Sequence, residues 1–214
     1  EIVTKVSGNV GEIENEVHNS VKSLGRLPYA VLSHKPEYFS SLDYCDKLLS
    51  LKLKFKIPKI GVSVYNSDDI ELCLSNFNVD IVQLPLNILD MRLFNKGYLE
   101  KLKNNNIEVH VRSVFLQGLF FLKNKEIILR FPESFKEILK VKELVEKSGE
   151  KLSQLSISWV NSLTTVDHIV IGVDTVQQLK ANMNLLSSNL DEELISAIQS
   201  LNFDKEEILN PSLW

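Results

Sequence analysis

The sequence has 214 residues, 44% of them hydrophobic, with 8 Gly and 6 Pro, which excludes a disordered chain and suffices for one well-cored domain. A formal net charge of −4 and a pI near 5.7 argue against nucleic acid as the main partner, since the Lys and Arg residues alternate with acids instead of clustering. The longest apolar stretch, residues 114–122, is interrupted by Gln117 and Gly118 and is too short to cross a bilayer.

Short apolar runs alternate with helical periodicity along the chain. Residues 2–6 read as a strand, and 12–24 as an amphipathic helix with Ile13, Val17, Val21 and Leu24 on one face. A strand over 29–33 and a helix over 41–55 follow, and the basic stretch from Lys52 to Lys59 is the solvated side of that helix end. Next come a strand (59–64), a helix (68–77), a strand (80–84), a helix (96–104) and a strand (108–113). Helices over 134–148 and 152–162, a strand over 168–171, and helices over 175–186 and 191–201 complete the series. Ser134 with Glu137, and Thr175 with Gln178, have the spacing of a capping box, in which a hydroxyl and a returning side chain satisfy exposed backbone N–H groups. Cys45 and Cys73 lie far apart in helical segments without a His at metal-ligand spacing, so each reads as a buried or half-buried free thiol, which fits a reducing compartment. The strands are rich in Val and Ile without clean alternation, as parallel strands covered by helices are. The order is that of an α/β protein with six βα units, and both an open doubly wound sheet and most of a closed barrel satisfy it. No GxGxxG follows any of the strands.

Five segments are more specific. They are Ile60-Gly61-Val62-Ser63-Val64-Tyr65 with Asp80-Ile81-Val82-Gln83-Leu84-Pro85-Leu86-Asn87, then Val111-Arg112-Ser113-Val114-Phe115-Leu116-Gln117-Gly118-Leu119, then Leu155-Ser156-Ile157-Ser158-Trp159-Val160, and finally residues 171–182. In order and spacing, and over essentially the whole chain, these segments resemble the aldo/keto reductase family. The resemblance implies a (β/α)8 TIM barrel as a single domain over residues 1–214, N-terminally incomplete, with the six strands as the third to eighth of the barrel. It also implies an oxidoreductase that interconverts a carbonyl (aldehyde, ketone or sugar-related) and an alcohol by hydride transfer. The cofactor would be NADP(H) or NAD(H), with no metal, and the partner a small-molecule carbonyl substrate in a cytoplasmic setting, with neither nucleic acid nor membrane.

On its own, Lys5 at a strand end reads as a solvated lysine, and His34 after the next strand as a structural histidine. By the resemblance they match the family's catalytic Lys and His. The family's proton donor is a Tyr, whose pKa falls because the Lys, itself paired with an Asp, favours the phenolate. The His orients the substrate carbonyl. That Asp and Tyr belong before the third strand, so an upstream segment of roughly 60 to 70 residues, two further βα units, is expected to carry them. Tyr29, Tyr38 and Asp43 align elsewhere and are not substitutes.

The resemblance further assigns Ser63 and Gln83 to the nicotinamide carboxamide. It runs Ser113, Phe115 and Gln117 over the pyrophosphate. Gly172, Asp174, Thr175 and the following helix start fall at the adenosine phosphate, with Gln178 and Asn182 at the adenine; a helix N-terminus offers N–H donors and a positive dipole end. Four positions depart from the family pattern. Val64 replaces a frequent Asn, and Arg112 stands where an aromatic ring stacks on the nicotinamide, a place its planar guanidinium can take. Asp174 brings a carboxylate to the 2′-phosphate position, and Ala181 replaces a Glu facing the adenine. The ending from Ile208 to Trp214 resembles bacterial members associated with sugar metabolism. The rival reading is a catalytically inactive nucleotide-binding or regulatory protein. His18, His110 and His168 read as surface or packing residues.

Overall fold

The structure is a computed structural model and describes residues 1–186, 190–201 and 203–214, with the backbone alone at Ser212. In chain order it forms β1 (Val3–Val6), α1 (Ile13–Leu24), β2 (Ala30–Ser33), α2 (Leu42–Phe55), β3 (Lys59–Ser63), α3 (Ser67–Asn76) and β4 (Ile81–Pro85). There follow α4 (Arg92–Asn95), α5 (Tyr98–Asn104), β5 (Glu108–Arg112), α6 (Asn124–Arg130), α7 (Phe135–Ser148) and α8 (Leu152–Ser162). The chain continues with β6 (His168–Ile169), α9 (Val176–Leu185), α10 (Glu192–Gln199) and α11 (Glu206–Leu209). The six strands lie in the sheet in chain order, and β1 to β4 pair in parallel. The α/β alternation expected from the sequence is thus present. Among the described residues no helix is long and apolar enough to cross a membrane.

Several local expectations need correction. The helix expected over 96–104 begins only at Tyr98, because Gly97 turns left-handed (φ 73°), and the short helix α4 before it was not anticipated. The helices α6 and α11 were not anticipated, and β6 is shorter than expected. The capping box at Ser134 does not form. A 3-10 turn over Pro132–Ser134 runs directly into α7, leaving Ser134 at ψ 7° instead of in the extended region a cap requires. Ser134 Oγ and Glu137 Oε2 are buried with no hydrogen-bond partner among the described residues. The box at Thr175 does form (φ −137°, ψ 154°), and so does one at Asn66 with Asp69.

The chain divides into two compact units, the first comprising 1–84 and 98–110, the second 85–97 and 111–214. In the first unit the sheet has two distinct faces. Thr4 Oγ1 donates to Ser20 Oγ of α1 at 3.4 Å, and Ser33 Oγ lies 2.7 Å from Tyr44 Oη of α2, so these residues face the helices. On the opposite face Ala30, Leu32 and Ile81 form a fully buried cluster with Tyr29 against it. Gly61 lies in the same row, with Lys5 opposite Leu32, Leu32 opposite Gly61, and Gly61 opposite Ile81. A Cβ on Gly61 would meet Ile81 O at 2.2 Å and Leu32 Cδ2 at 2.8 Å, so only glycine lets β3 and β4 pair here.

At the starts of the strands, Tyr29 Oη donates to Glu108 Oε1 at 2.8 Å and Lys59 pairs with the same carboxylate. Burial works against the Glu108 anion, but the Lys59 and Tyr29 bonds outweigh it and hold the carboxyl below its ordinary value. Burial also pushes the thiol of Cys73 up to about 12, so it is an inert core side chain. In the second unit the fully buried Trp159 of α8 packs edge-on against Phe94 of α4, with centroids 6.0 Å apart.

Replacing Gly61 by Ala is expected to lower stability by about 1–3 kcal/mol, the usual range for overpacking a core, as a reduced urea midpoint. A second prediction concerns Glu14, which accepts from Lys47 and Lys54 of α2; these bonds, Lys47 first, lower its pKa from 4.5 to about 2. A carboxyl depressed in the folded state contributes stability that is complete above 4.5 and is lost as pH falls through about 2. Urea midpoints measured across that window should fall less steeply for Glu14→Gln than for the wild type.

Candidate functional site

In the first unit, four residues singled out from the sequence gather at the C-terminal ends of consecutive strands. Ser63 is paired directly with Gln83 in the β3–β4 register, and His34 follows Ser33, which pairs with Val62, so His34, Ser63 and Gln83 occupy one row. Backbone bonds flank the row, with His34 N–H donating to Val6 O of β1 at 2.8 Å and Val64 N–H to Gln83 O of β4 at 2.9 Å. Ser63 and Gln83 are 1% and 5% exposed, whereas Lys5 and His34 reach solvent. Lys5 Nζ donates to Ser63 Oγ at 3.1 Å. Val64 is fully buried and faces no solvent. Tyr44 lies on the other, helix-facing side of the sheet against Ser33, and burial pushes its phenol up to about 12 against the pull of that bond.

In the second unit, an open cavity of about 820 Å³ lies among the loop after β5, the segment after β6 and the start of α9. It is lined by Arg112, Ser113, Phe115, Gln117, Gly172, Asp174, Gln178 and Asn182, which is every cofactor residue assigned from this part of the sequence except Thr175. The remaining lining includes Val114, Gly118, Phe121, Ser153 and Val173. Arg112 and Asp174 are the charged side chains among the described lining residues, one cation and one anion. The loop after β5 is conformationally unusual. Ser113, Leu116 and Gln117 all adopt positive φ (63°, 44° and 49°), as does Gly118 (83°). Non-glycine residues hold such angles only where surrounding contacts enforce them.

The enforcing contacts come from Asn87, which sequence reasoning left without a role. Asn87 is fully buried just beyond β4. Its Oδ1 accepts from the N–H groups of Leu89 and Asp90, at 2.9 and 3.0 Å, and its Nδ2 donates to Ser113 O at 3.1 Å. Arg112 Nη1 adds a donor to Ser113 Oγ at 3.2 Å, and Phe115 packs edge-on against Phe121 with centroids 5.7 Å apart. A polar residue two places beyond an apolar strand was the visible signal.

At α9 the capping box occupies groups that a ligand could otherwise use. Thr175 Oγ1 accepts from Gln178 N–H at 3.1 Å, while Gln178 Oε1 accepts from Asp174 N–H at 2.7 Å and from Thr175 N–H at 3.3 Å. Thr175 therefore acts as a helix cap and stays outside the cavity lining, and Gln178 can offer a ligand its amide NH2 but not its oxygen.

The family model described as Aldo/keto reductase family matches residues 2–202. The structure of aldo-keto reductase AKR11C1 from Bacillus halodurans in its holo form superposes with a TM-score of 0.78 at 19% identity, covering 94% of this chain and 72% of that one. Its apo form gives 0.74 at 21% identity, over 93% and 70%. A thermostable aldo-keto reductase, Tm1743, in complex with the inhibitor epalrestat gives 0.74 at 22%, over 94% and 70%. At these identities the likeness is one of fold. The curated proteins contain no match.

Thr175→Ala should loosen the first turn of α9 at a cost of about 1 kcal/mol. Hydrogen exchange checks this: the Gln178 amide, which loses its acceptor, should exchange faster, while the amides of β1 to β4 stay as protected as before.

Proposed function

The chain belongs to the aldo/keto reductase family, which makes it an oxidoreductase of the carbonyl/alcohol kind, and from that premise we propose that it uses NAD(P)H to interconvert a small carbonyl compound and its alcohol. The observation that carries the cofactor reading is the composition of the 820 Å³ cavity, where eight of the residues assigned to the cofactor from the sequence, all between Arg112 and Asn182, line one space. The chemistry of that lining suits a dinucleotide. Arg112 supplies a cation for a diphosphate or a planar face for a ring, Ser113 and Gln117 supply hydroxyl and amide groups, and α9 presents its positive end.

When bound, the cofactor supplies the hydride. The roles of this chain's own residues are binding and orientation. In the first unit Ser63 and Gln83 are suited to a carboxamide, one as a hydroxyl and the other as an amide complement. Lys5 brings to the strand ends a cation that favours the phenolate of a neighbouring tyrosine, and His34 an imidazole that orients a carbonyl. In the second unit Arg112 beside a pyridinium ring would be repulsive, so the reduced cofactor should bind more tightly than the oxidised one.

Asp174 sets the coenzyme preference in this reading. A carboxylate at the cavity edge repels a 2′-phosphate and tolerates a free ribose hydroxyl. Calorimetric titration should therefore give tighter binding of NADH than of NADPH, and Asp174→Ser should improve NADPH affinity roughly five-fold, the scale of one exposed charge interaction. Absence of binding by either dinucleotide would sink the cofactor reading, and an unchanged preference in Asp174→Ser would sink the role given to that carboxylate.

A further inference from the structure

Ser134 and Glu137 have the spacing of a capping box and do not form one. No side chain caps the first turn of α7, and Ser134 Oγ and Glu137 Oε2 are buried without a hydrogen-bond partner among the described residues. Groups able to serve each other are thus both left unsatisfied, a costly arrangement inside a protein. One backbone angle separates it from the box. Ser134 stands at ψ 7°, where a cap residue needs the extended region. The 3-10 turn over Pro132–Ser134 fixes that angle, with Ser134 N–H donating to Phe131 O at 3.1 Å and Phe135 N–H to Pro132 O. Residues 205–214 grip this turn from outside. Lys205 donates to Glu133 O, a carbonyl of the turn itself. Trp214 packs on Phe131 with ring centroids 5.0 Å apart, and the Arg130 guanidinium lies 5.2 Å from the Phe131 centroid and 5.7 Å from that of Trp214. An open cavity of about 470 Å³, lined by Pro132, Ser134, Ile208 and Leu213 among others, remains between the turn and the segment. A few directed contacts join the two, not a continuous packed core.

We propose that residues 130–134 and 205–214 form a two-state clasp on the start of α7. In the closed state, the one in the structure, the ring and lysine contacts hold the 3-10 turn and the capping box is forgone. In the open state residues 205–214 leave, the turn unwinds, Ser134 rotates to the extended region, and Ser134 and Glu137 cap α7 with each other. Each state satisfies groups that the other leaves bare, so the two sets of contacts offset one another. Whatever holds or displaces Trp214 is thereby read at the first turn of α7. The clasp lies wholly within the second unit and is independent of the cofactor reading.

The experiment combines tryptophan fluorescence with amide hydrogen exchange followed residue by residue by NMR. Arg130→Met together with Lys205→Met removes the cation beside the two rings and the donor to Glu133 O, and keeps an unbranched stem at both positions. Trp214 emission should then shift to the red and become more open to acrylamide, while the fully buried Trp159 stays as it is. Opening has a signature of opposite sign at two neighbouring amides. Phe135, which loses Pro132 O, should exchange at least about five-fold faster, and Glu137, which gains Ser134 Oγ, at least about five-fold slower, the equivalent of one ordinary hydrogen bond in each case. A merely loosened helix would speed both. Adding Ser134→Ala to the double variant should return Glu137 to fast exchange. Release of Trp214 without slowing at Glu137 would overturn the coupling, and an unchanged Trp214 signal in the double variant would overturn the clasp itself. Ser134→Ala in the otherwise unaltered chain should leave the urea midpoint unchanged or raise it, since the hydroxyl has no partner to lose. A lowered midpoint would show that Ser134 already caps α7 and would remove the closed state from which the proposal starts.

Discussion

The first unit depends on one close approach, that of β3 to β4 at Gly61. Ile81 O lies only 2.2 Å from where a Cβ would sit, so the pairing of these strands exists only because position 61 has no side chain. Everything above that point inherits its register. Gly61 opposite Ile81 places Ser63 opposite Gln83 two residues later, and the β2–β3 pairing brings His34 level with them. A slip of one residue would turn Ser63 and Gln83 to the helix side and bring Val62 and Val82 to the other, since side chains alternate along a strand. The polar row is therefore a consequence of core packing two residues below it.

The second unit solves a related problem with a loop. Its cavity wall is a loop with three non-glycine residues in left-handed conformations, a state that L-residues adopt at a cost. Asn87 offsets that cost by acting as a small piece of backbone, accepting from two N–H groups and donating to a carbonyl, all within a fully buried site. Arg92 bonds Asp90 through both Nε and Nη2 (2.9 and 3.0 Å) and steadies the turn from which Asn87 acts. Asn87, Asp90 and Arg92 thus help to shape the wall without themselves lining the cavity.

Much of this was legible in the sequence, and the reasons for the remainder are physical. The strand order and the positions of Lys5, His34, Ser63 and Gln83 at strand ends follow from apolar runs and from motif blocks, which are local properties. The capping box at Thr175 was readable because a cap is encoded within four residues, and the one at Ser134 failed because the preceding Phe131-Pro132 turn decides the backbone angle there. The Lys5–Ser63 bond and the Asn87–Ser113 bond were invisible, since each joins residues distant in sequence and follows from register or loop closure. Single-letter patterns carry no record of such pairings.

Helix α9 buries none of its residues, and Val176 and Met183 are 65% and 61% exposed. Besides its capping box, Ser158 Oγ bonds Leu185 O at its end, and Asn161 Nδ2 bonds the next residue's carbonyl, Leu186 O. Most helical stability in proteins comes from a packed apolar face, and a ten-residue helix with no fully buried residue leans on its two ends for its stability. Any molecule that grips the start of α9 therefore binds a helix and helps to form it at the same time. Part of its intrinsic affinity goes into that ordering, so occupancy and local folding at this edge of the protein are two readings of a single equilibrium.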